Sequence, residues 1–111
     1  MRFHKLGLVC VVGASLALTA CGYSCTDLCE DRAECSGSTQ NPDDCDPECE
    51  IQERIDEDFG CDDEWDEVLS CASEVEDVCA ESAERECADE VAAYSKCHAD
   101  YCADHTSSDD C

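Results

Sequence analysis

CTDLCEDRAECSGSTQNPDDCDPEC, residues 25–49, contains two pairs of cysteines, and three residues separate the members of each pair. The pairs are Cys25 with Cys29 and Cys45 with Cys49, and 15 residues lie between them. Residues four apart on a helix share one face, so both sulfurs of a pair lie on the same side. The spacing therefore predicts two helices folded back on each other and joined by the disulfides Cys25–Cys49 and Cys29–Cys45.

A second segment, residues 61–97, repeats this arrangement with a wider spacing. Nine residues separate Cys61 from Cys71 and Cys87 from Cys97, and 15 residues again lie between the pairs. This spacing indicates a second helical hairpin, closed by the disulfides Cys61–Cys97 and Cys71–Cys87. Four further cysteines follow no such spacing: Cys35, Cys79, Cys102 and Cys111.

The two spacings resemble the twin CX3C and twin CX9C motifs of disulfide-linked helical hairpins. That group includes the coiled-coil-helix-coiled-coil-helix proteins and the plant α-hairpinins. The resemblance covers only cysteine spacing, within residues 25–49 and 61–97. It implies an all-α fold of small disulfide-rich helical hairpins, and it carries over no activity.

Cysteine content also indicates the class of protein. The chain has 14 cysteines in 111 residues. Cys10 lies in an N-terminal segment that is expected to be cleaved (residues 1–20), and Cys21 directly follows that segment and is set aside for lipid. Twelve cysteines remain for pairing in a compartment that permits oxidation. Large apolar residues are too few to offset chain entropy unaided, so six disulfides of about 2 to 4 kcal/mol each are expected to make the chain fold. Twelve cysteines allow on the order of ten thousand pairings.

The pattern between the cysteines predicts about four short helices and no strands. Ser24 or Thr26 caps the first helix, which ends near residues 36–37. Asp46-Pro47 is a cap and first-turn pair for the second helix. Three apolar residues then recur every four positions before Gly60 stops that helix: Ile51, Ile55 and Phe59.

The second hairpin shows two apolar stripes at helical spacing. The third helix begins at Asp62 or Asp63, and Ser82 caps the fourth. The stripe of the third helix is Trp65, Val68, Leu69, Ala72, Val75 and Cys79, and that of the fourth is Cys87, Val91, Tyr94 and Tyr101. We expect Trp65 and Tyr94 to be core residues rather than an exposed binding patch.

The first 21 residues have the order of a secretory signal. Arg2 and Lys5 precede an uncharged run over residues 6–19, which is shorter than the roughly 20 apolar residues that span a membrane. LTAC, residues 18–21, follows directly and resembles the lipobox of bacterial lipoproteins. The alternative is an ordinary cleaved signal that happens to precede a cysteine.

The lipobox resemblance implies cleavage before Cys21 and attachment of a thioether-linked diacylglycerol and an amide-linked acyl chain such as palmitate. The chain then divides into a signal peptide (residues 1–20), a lipidated N-terminus with a short tether (21–24) and one acidic Cys-rich domain (25–111). The protein would be anchored in the membrane through Cys21. Gly22, rather than Asp, resembles the pattern of outer-membrane lipoproteins in enterobacteria and favours the outer over the inner membrane.

Charge limits the class of partner. After removal of residues 1–20, 30 acidic side chains face 4 basic ones, a net charge of −26 against −24 for the whole chain. Such a surface repels nucleic acid and anionic lipid headgroups and attracts basic protein surfaces or divalent cations. The simpler interpretation is that the charge keeps an exported domain soluble.

Acidic runs at residues 56–58, 62–64 and 66–67 flank Gly60 and raise the possibility of calcium, which binds carboxylate oxygens. The order departs from an EF-hand, because Ile55 stands where that loop begins with Asp. Solvated helix faces are the favoured interpretation, and no metal or other cofactor is predicted.

No catalytic motif is found in the chain. It lacks Cys-x-x-Cys, Gly-x-Ser-x-Gly, a phosphate-binding loop and a metalloprotease box. His98 is the one residue around which a charge relay can be imagined, because Ser95, Asp100 and Tyr101 lie near it in the sequence. A zinc site made from cysteines with His98 or His105 is disfavoured, because oxidising export favours disulfides. We therefore predict no enzyme activity and no catalytic residues.

These observations favour a membrane-anchored cell-envelope lipoprotein with a non-catalytic binding or structural role. One alternative is a small secreted inhibitory or defensive hairpin that presents the loop at residues 38–44 to a protease or receptor. The other is calcium binding by the acidic helix faces.

Overall fold

A computed structural model describes residues 22–111 of the protein. Within that range the chain forms α-helices, one short 3-10 turn and no strand, which confirms the predicted small, disulfide-rich all-α fold. The predicted signal peptide and Cys21 lie outside the described residues. The five helices are α1 (Cys25–Ala33), α2 (Cys45–Phe59), α3 (Asp62–Glu74), α4 (Glu81–Glu86) and α5 (Ala88–Asp104).

The first hairpin consists of α1 and α2. Cys25 is bonded to Cys49 and Cys29 to Cys45, with Cα–Cα distances of 5.8 and 5.7 Å. These are the two disulfides that the CX3C spacing predicts. Antiparallel helices place the first cysteine of one pair opposite the last of the other, so both bridges form on one shared face.

The second hairpin packs α3 against α5. Cys61 is bonded to Cys97 and Cys71 to Cys87, as the CX9C spacing predicts. The second limb is not one helix, because Cys87 has φ −111° and ψ 19° and separates α4 from α5. The single fourth helix predicted from the sequence is therefore two helices, and the total is five rather than about four.

The four cysteines without a spacing pattern form two further disulfides. Cys35, after α1, is bonded to Cys79, after α3, across a sequence separation of 44. Among the described residues this is the one disulfide that joins the two hairpins. Cys102 is bonded to Cys111 across a separation of 9 and ties the C-terminal tail to α5.

The apolar core is small, and half of its buried residues are cysteines. Leu28, Leu69 and Ala72 form its centre, and Tyr23, Trp65 and Val78 pack against them. Ten apolar residues are buried in the described chain, and five of these are cysteines: Cys25, Cys45, Cys49, Cys61 and Cys87. Trp65 is a core residue, as expected from its place in the α3 stripe.

The ends of α1 and α2 follow local chemistry. The Ser24 hydroxyl accepts a hydrogen bond from the Asp27 backbone N–H, and the Asp27 carboxylate accepts one from the Ser24 N–H, a complete capping box. Gly60 ends α2 in the left-handed conformation, with φ 71°. The capping role of Ser24 and the stop at Gly60 are both as predicted.

Several predicted helix boundaries are wrong. The first helix ends at Ala33, short of residues 36–37. The second begins at Cys45, because Asn41 and Pro42 start a 3-10 turn that leads directly into α2. Asp46-Pro47 therefore lies inside the first turn of α2, where a missing backbone N–H is tolerated, and does not cap the helix.

The helix boundaries predicted for the second hairpin also differ from the structure. The third helix stops at Glu74 because Val75 is extended, so Cys79 leaves the helix and reaches Cys35. Helix α4 starts at Glu81, and Ser82 lies within it instead of capping it. Two residues predicted on apolar faces are solvent-exposed, with exposed fractions of 53% for Ile51 and 43% for Val91.

The fold predicts unequal contributions from the two late disulfides. Replacing Cys35 and Cys79 together by Ser should lower the free energy of unfolding by about 4 kcal/mol, because that bridge closes a long loop. The matched pair Cys102→Ser with Cys111→Ser should cost about 2.5 kcal/mol, because its loop is short. Guanidinium denaturation followed by circular dichroism measures both, and equal losses would contradict the assignment of Cys35–Cys79 as the link between hairpins.

Candidate functional site

Asp56 is the most buried charged residue of the described chain, with 1% of its surface exposed. Its Oδ1 accepts a hydrogen bond from the Tyr94 hydroxyl at 2.8 Å and lies 2.7 Å from His98 Nε2. Gln52 Nε2 donates to the Tyr94 oxygen at 3.1 Å. These four residues form a polar cluster between α2 and α5.

Helix geometry explains how this cluster assembles. Tyr94 and His98 are four residues apart on α5, so they lie on the same face and both reach the one carboxylate on α2. Burial, together with the hydrogen bond to Asp56, raises the pKa of the Tyr94 phenol well above its ordinary value. The phenol thus remains a neutral donor, and the cluster connects the two hairpins.

The structure does not pair His98 with Asp100, the carboxylate near it in the sequence. His98 binds Asp56, whereas Asp100 binds Lys96 with a distance of 2.6 Å between Nζ and Oδ2. In residues 22–111 no serine, threonine or cysteine side chain is hydrogen-bonded to His98. The interaction between Asp56 and His98 therefore joins α2 to α5.

Three aromatic rings form a ladder along the end of α5. The Tyr101 ring stacks on Phe59 with a centroid distance of 3.9 Å and an interplanar angle of 15°. The His105 ring stacks on Tyr101 at 3.9 Å and 8°, and its Nδ1 lies 2.9 Å from the Tyr101 carbonyl oxygen. Phe59 is buried and His105 is exposed, so the ladder runs from the core to the solvent.

An open groove of about 500 Å³ runs beside this ladder, and we refer to it as the aromatic groove. It lies where the end of α2 and the start of α3 meet the outer half of α5. Three carboxylates and one ammonium line it together with the rings. Its lining residues are Phe59, Glu64, Ala93, Lys96, Cys97, Asp100, Tyr101, Asp104 and His105.

Glu64 is the unusual carboxylate of the aromatic groove. Its Oε2 is buried and has no hydrogen-bond partner among the described residues. Glu64 also lies close to Cys61 and Cys97, and one donor atom from each falls within 4.8 Å of the others. The two sulfurs are bonded to each other, however, so this group offers no thiolate to a metal ion.

The acidic runs around Gly60 are divided between different roles. Asp56 points inward to Tyr94 and His98 and is not available to a cation at the surface. Asp62, Asp63 and Glu64 occupy the first turn of α3, where negative charge is favoured by the helix dipole. Among residues 22–111, no three of these carboxylates come together in one potential metal site.

The other predicted site residues lie on separate surfaces. The loop at residues 38–44 projects from the first hairpin, and Gln40 holds it by donating to Glu48 Oε2 at 3.2 Å. At the other edge, Tyr23 packs on the core and its hydroxyl donates to Asp31. Burial and that hydrogen bond raise the pKa of the Tyr23 phenol.

Every cysteine from residue 22 onward is part of a disulfide. Across the same range, no helix is both long enough and apolar enough to cross a membrane. Comparison of the chain with models of protein families, with curated proteins and with solved structures finds no match.

The polar cluster predicts a specific loss of stability. Asp56→Ala removes the acceptor shared by the Tyr94 hydroxyl and His98 Nε2 between two packed helices. The free energy of unfolding should therefore fall by about 2 to 4 kcal/mol. Asp58→Ala is the matched control on the same helix. Its carboxylate is 60% exposed and lies 4.0 Å from Arg54, so its loss should cost under about 0.5 kcal/mol. Similar losses from urea denaturation of the two variants would refute the role given to Asp56.

Proposed function

We propose that the chain is a cell-envelope lipoprotein, anchored through lipid on Cys21, whose disulfide-linked helical domain has a non-catalytic binding or structural role. The observation that carries this proposal is LTAC at residues 18–21, placed directly after an uncharged run that follows Arg2 and Lys5. Several acyl chains contribute about 0.8 kcal/mol for each buried methylene, which is enough for stable anchoring.

The position of Tyr23 supports close attachment of the domain to the membrane. Tyr23 packs on the core and α1 begins at Cys25, only four residues after the proposed lipid attachment site. A domain held by so short a connection stays near the headgroups, and its orientation is restricted. The net charge of −26 after cleavage repels anionic headgroups at the same time.

The cysteine pairing supports an exported location. Disulfides persist in the periplasm and outside the cell and are rare in the cytosol. A domain with six disulfides and a small apolar core depends on such a compartment for its folding. Gly22 after the lipidated cysteine favours the outer membrane over the inner membrane.

The charge supports binding of a cationic partner. The acidic side chains outnumber the basic ones by 26 after cleavage, and most of them are exposed on helix faces. Long-range attraction of this sign speeds association with basic protein surfaces and divalent cations and disfavours nucleic acid. The domain would therefore act as an anionic receptor or bridge at the membrane surface.

Lipid labelling tests the proposal. In bacteria that process lipoproteins, the chain should incorporate an alkyne analogue of palmitate and have a mature N-terminus at Cys21. Cys21→Ser should abolish the label and leave the protein at precursor mass. Cys10→Ser is the matched control, because it removes a cysteine from the signal and should leave labelling intact. An unlabelled wild-type protein, or a label that survives in Cys21→Ser, would refute the proposal.

A further inference from the structure

We propose that the aromatic groove binds an arginine side chain from a basic protein partner. This inference rests on the binding role proposed above and names both the surface that performs it and the class of partner. It is carried by three features of the groove, which are its charge, an unsatisfied carboxylate oxygen and a stack of rings that ends in solvent.

The groove has a net negative charge, which favours a cationic ligand. Glu64, Asp100 and Asp104 contribute three negative charges, and Lys96 contributes one positive charge. Lys96 is already bound to Asp100, with Nζ and Oδ2 2.6 Å apart. That ion pair shows that a cationic side chain fits at one edge of the groove, while Glu64 and Asp104 remain without a basic partner there.

The buried oxygen of Glu64 adds a directional requirement. A carboxylate oxygen that is removed from water without a hydrogen bond is destabilising. Oε2 of Glu64 is in this state, and Glu64 lines the groove. Oε2 is closed off from solvent, so a ligand that donates N–H groups in the groove satisfies this acceptor once the Glu64 side chain turns it outward. Guanidinium carries five donors in a planar fork that matches a carboxylate, whereas an ammonium group is a single point of charge.

The ring ladder selects a flat cation. Tyr101 covers one side of the His105 ring, and His105 is otherwise exposed, so the second face of this ring is open to the solvent. A planar guanidinium stacks on an aromatic face and can extend the ladder by one more layer. The carboxylates of Glu64 and Asp104 would bind the guanidinium in this position.

The same lining disfavours a bare metal ion as the occupant. Calcium and magnesium bind shells of oxygen ligands. Beside its three carboxylates, the groove is lined by the rings of Phe59 and Tyr101, the Ala93 methyl group and Cys97 of a disulfide, and these apolar atoms offer no hard oxygen ligand. The alkyl stem of an arginine would lie against these apolar atoms while its charged end reaches the carboxylates.

The test uses the lipidated protein, purified from membranes in detergent, and three fluorescent peptides of one length. Their sequences are acetyl-GRGRG-amide, the same peptide with lysine, and the same peptide with citrulline, which keeps the shape of arginine without its charge. Fluorescence anisotropy should rank the affinities as arginine above lysine above citrulline. Equal affinity for arginine and lysine would exclude the stacking contribution and overturn the proposal.

Two variants with equal charge changes locate the site. Glu64→Gln combined with Asp104→Asn should weaken the arginine peptide about tenfold, since two charge contacts are lost. Asp43→Asn combined with Glu50→Gln removes the same charge from exposed positions outside the groove and should change affinity less than about twofold. Equal weakening in both would mean that only net charge attracts the peptide, and the groove assignment would fail.

His105→Ala separates stacking from charge. It removes the exposed ring and no carboxylate, so it should reduce the preference for arginine over lysine while leaving lysine binding unchanged. Disulfide mapping of every variant by mass spectrometry confirms native pairing before binding is measured. Absence of binding by all peptides would overturn this inference alone, because lipid labelling tests the anchoring proposal separately.

Discussion

Covalent cross-links are the constraint on which the rest of this structure depends. The apolar centre consists of Leu28, Leu69 and Ala72, and two aromatic rings and a valine pack around it, partly buried. So little apolar surface cannot offset the conformational entropy of a chain of this length together with the repulsion of its carboxylates. The six disulfides reduce the freedom of the unfolded chain, and their sulfurs also fill much of the interior.

This dependence explains which parts of the fold the sequence predicts well. Cys25–Cys49 follows from helix periodicity, because the cysteines of each CX3C pair are four residues apart, and Cys61–Cys97 follows from the matched nine-residue spacings of the second hairpin. Cys35 and Cys79 pair because the two hairpins pack in one particular way, and spacing carries no information about that packing. The end of α3 differs from the prediction for a related reason. The apolar stripe in the sequence continues to Cys79, but α3 ends at Glu74, and Cys79 is bonded to Cys35 outside the helix.

The candidate site was harder to predict. Asp56 belongs to a run of acidic residues and looks like any solvated carboxylate until α5 brings Tyr94 and His98 to it. One part of the ladder did have a local signal, because Tyr101 lies on α5 and His105, four residues later, directly follows the end of that helix. Phe59 reaches them only because Gly60 ends α2 and Cys61 is joined to Cys97. The groove therefore forms where the end of α2, in the first hairpin, meets α3 and α5 of the second, and the disulfide Cys61–Cys97 lies at its wall.

The account holds that cross-links, more than apolar packing, maintain this fold. The most direct test is to reduce the native protein with a phosphine under non-denaturing conditions, count the released thiols and record far-ultraviolet circular dichroism. The account predicts that helical signal and cooperative unfolding are lost as the six bridges open, and return on reoxidation. A fully reduced protein that kept its helical signal and a cooperative thermal transition would contradict it.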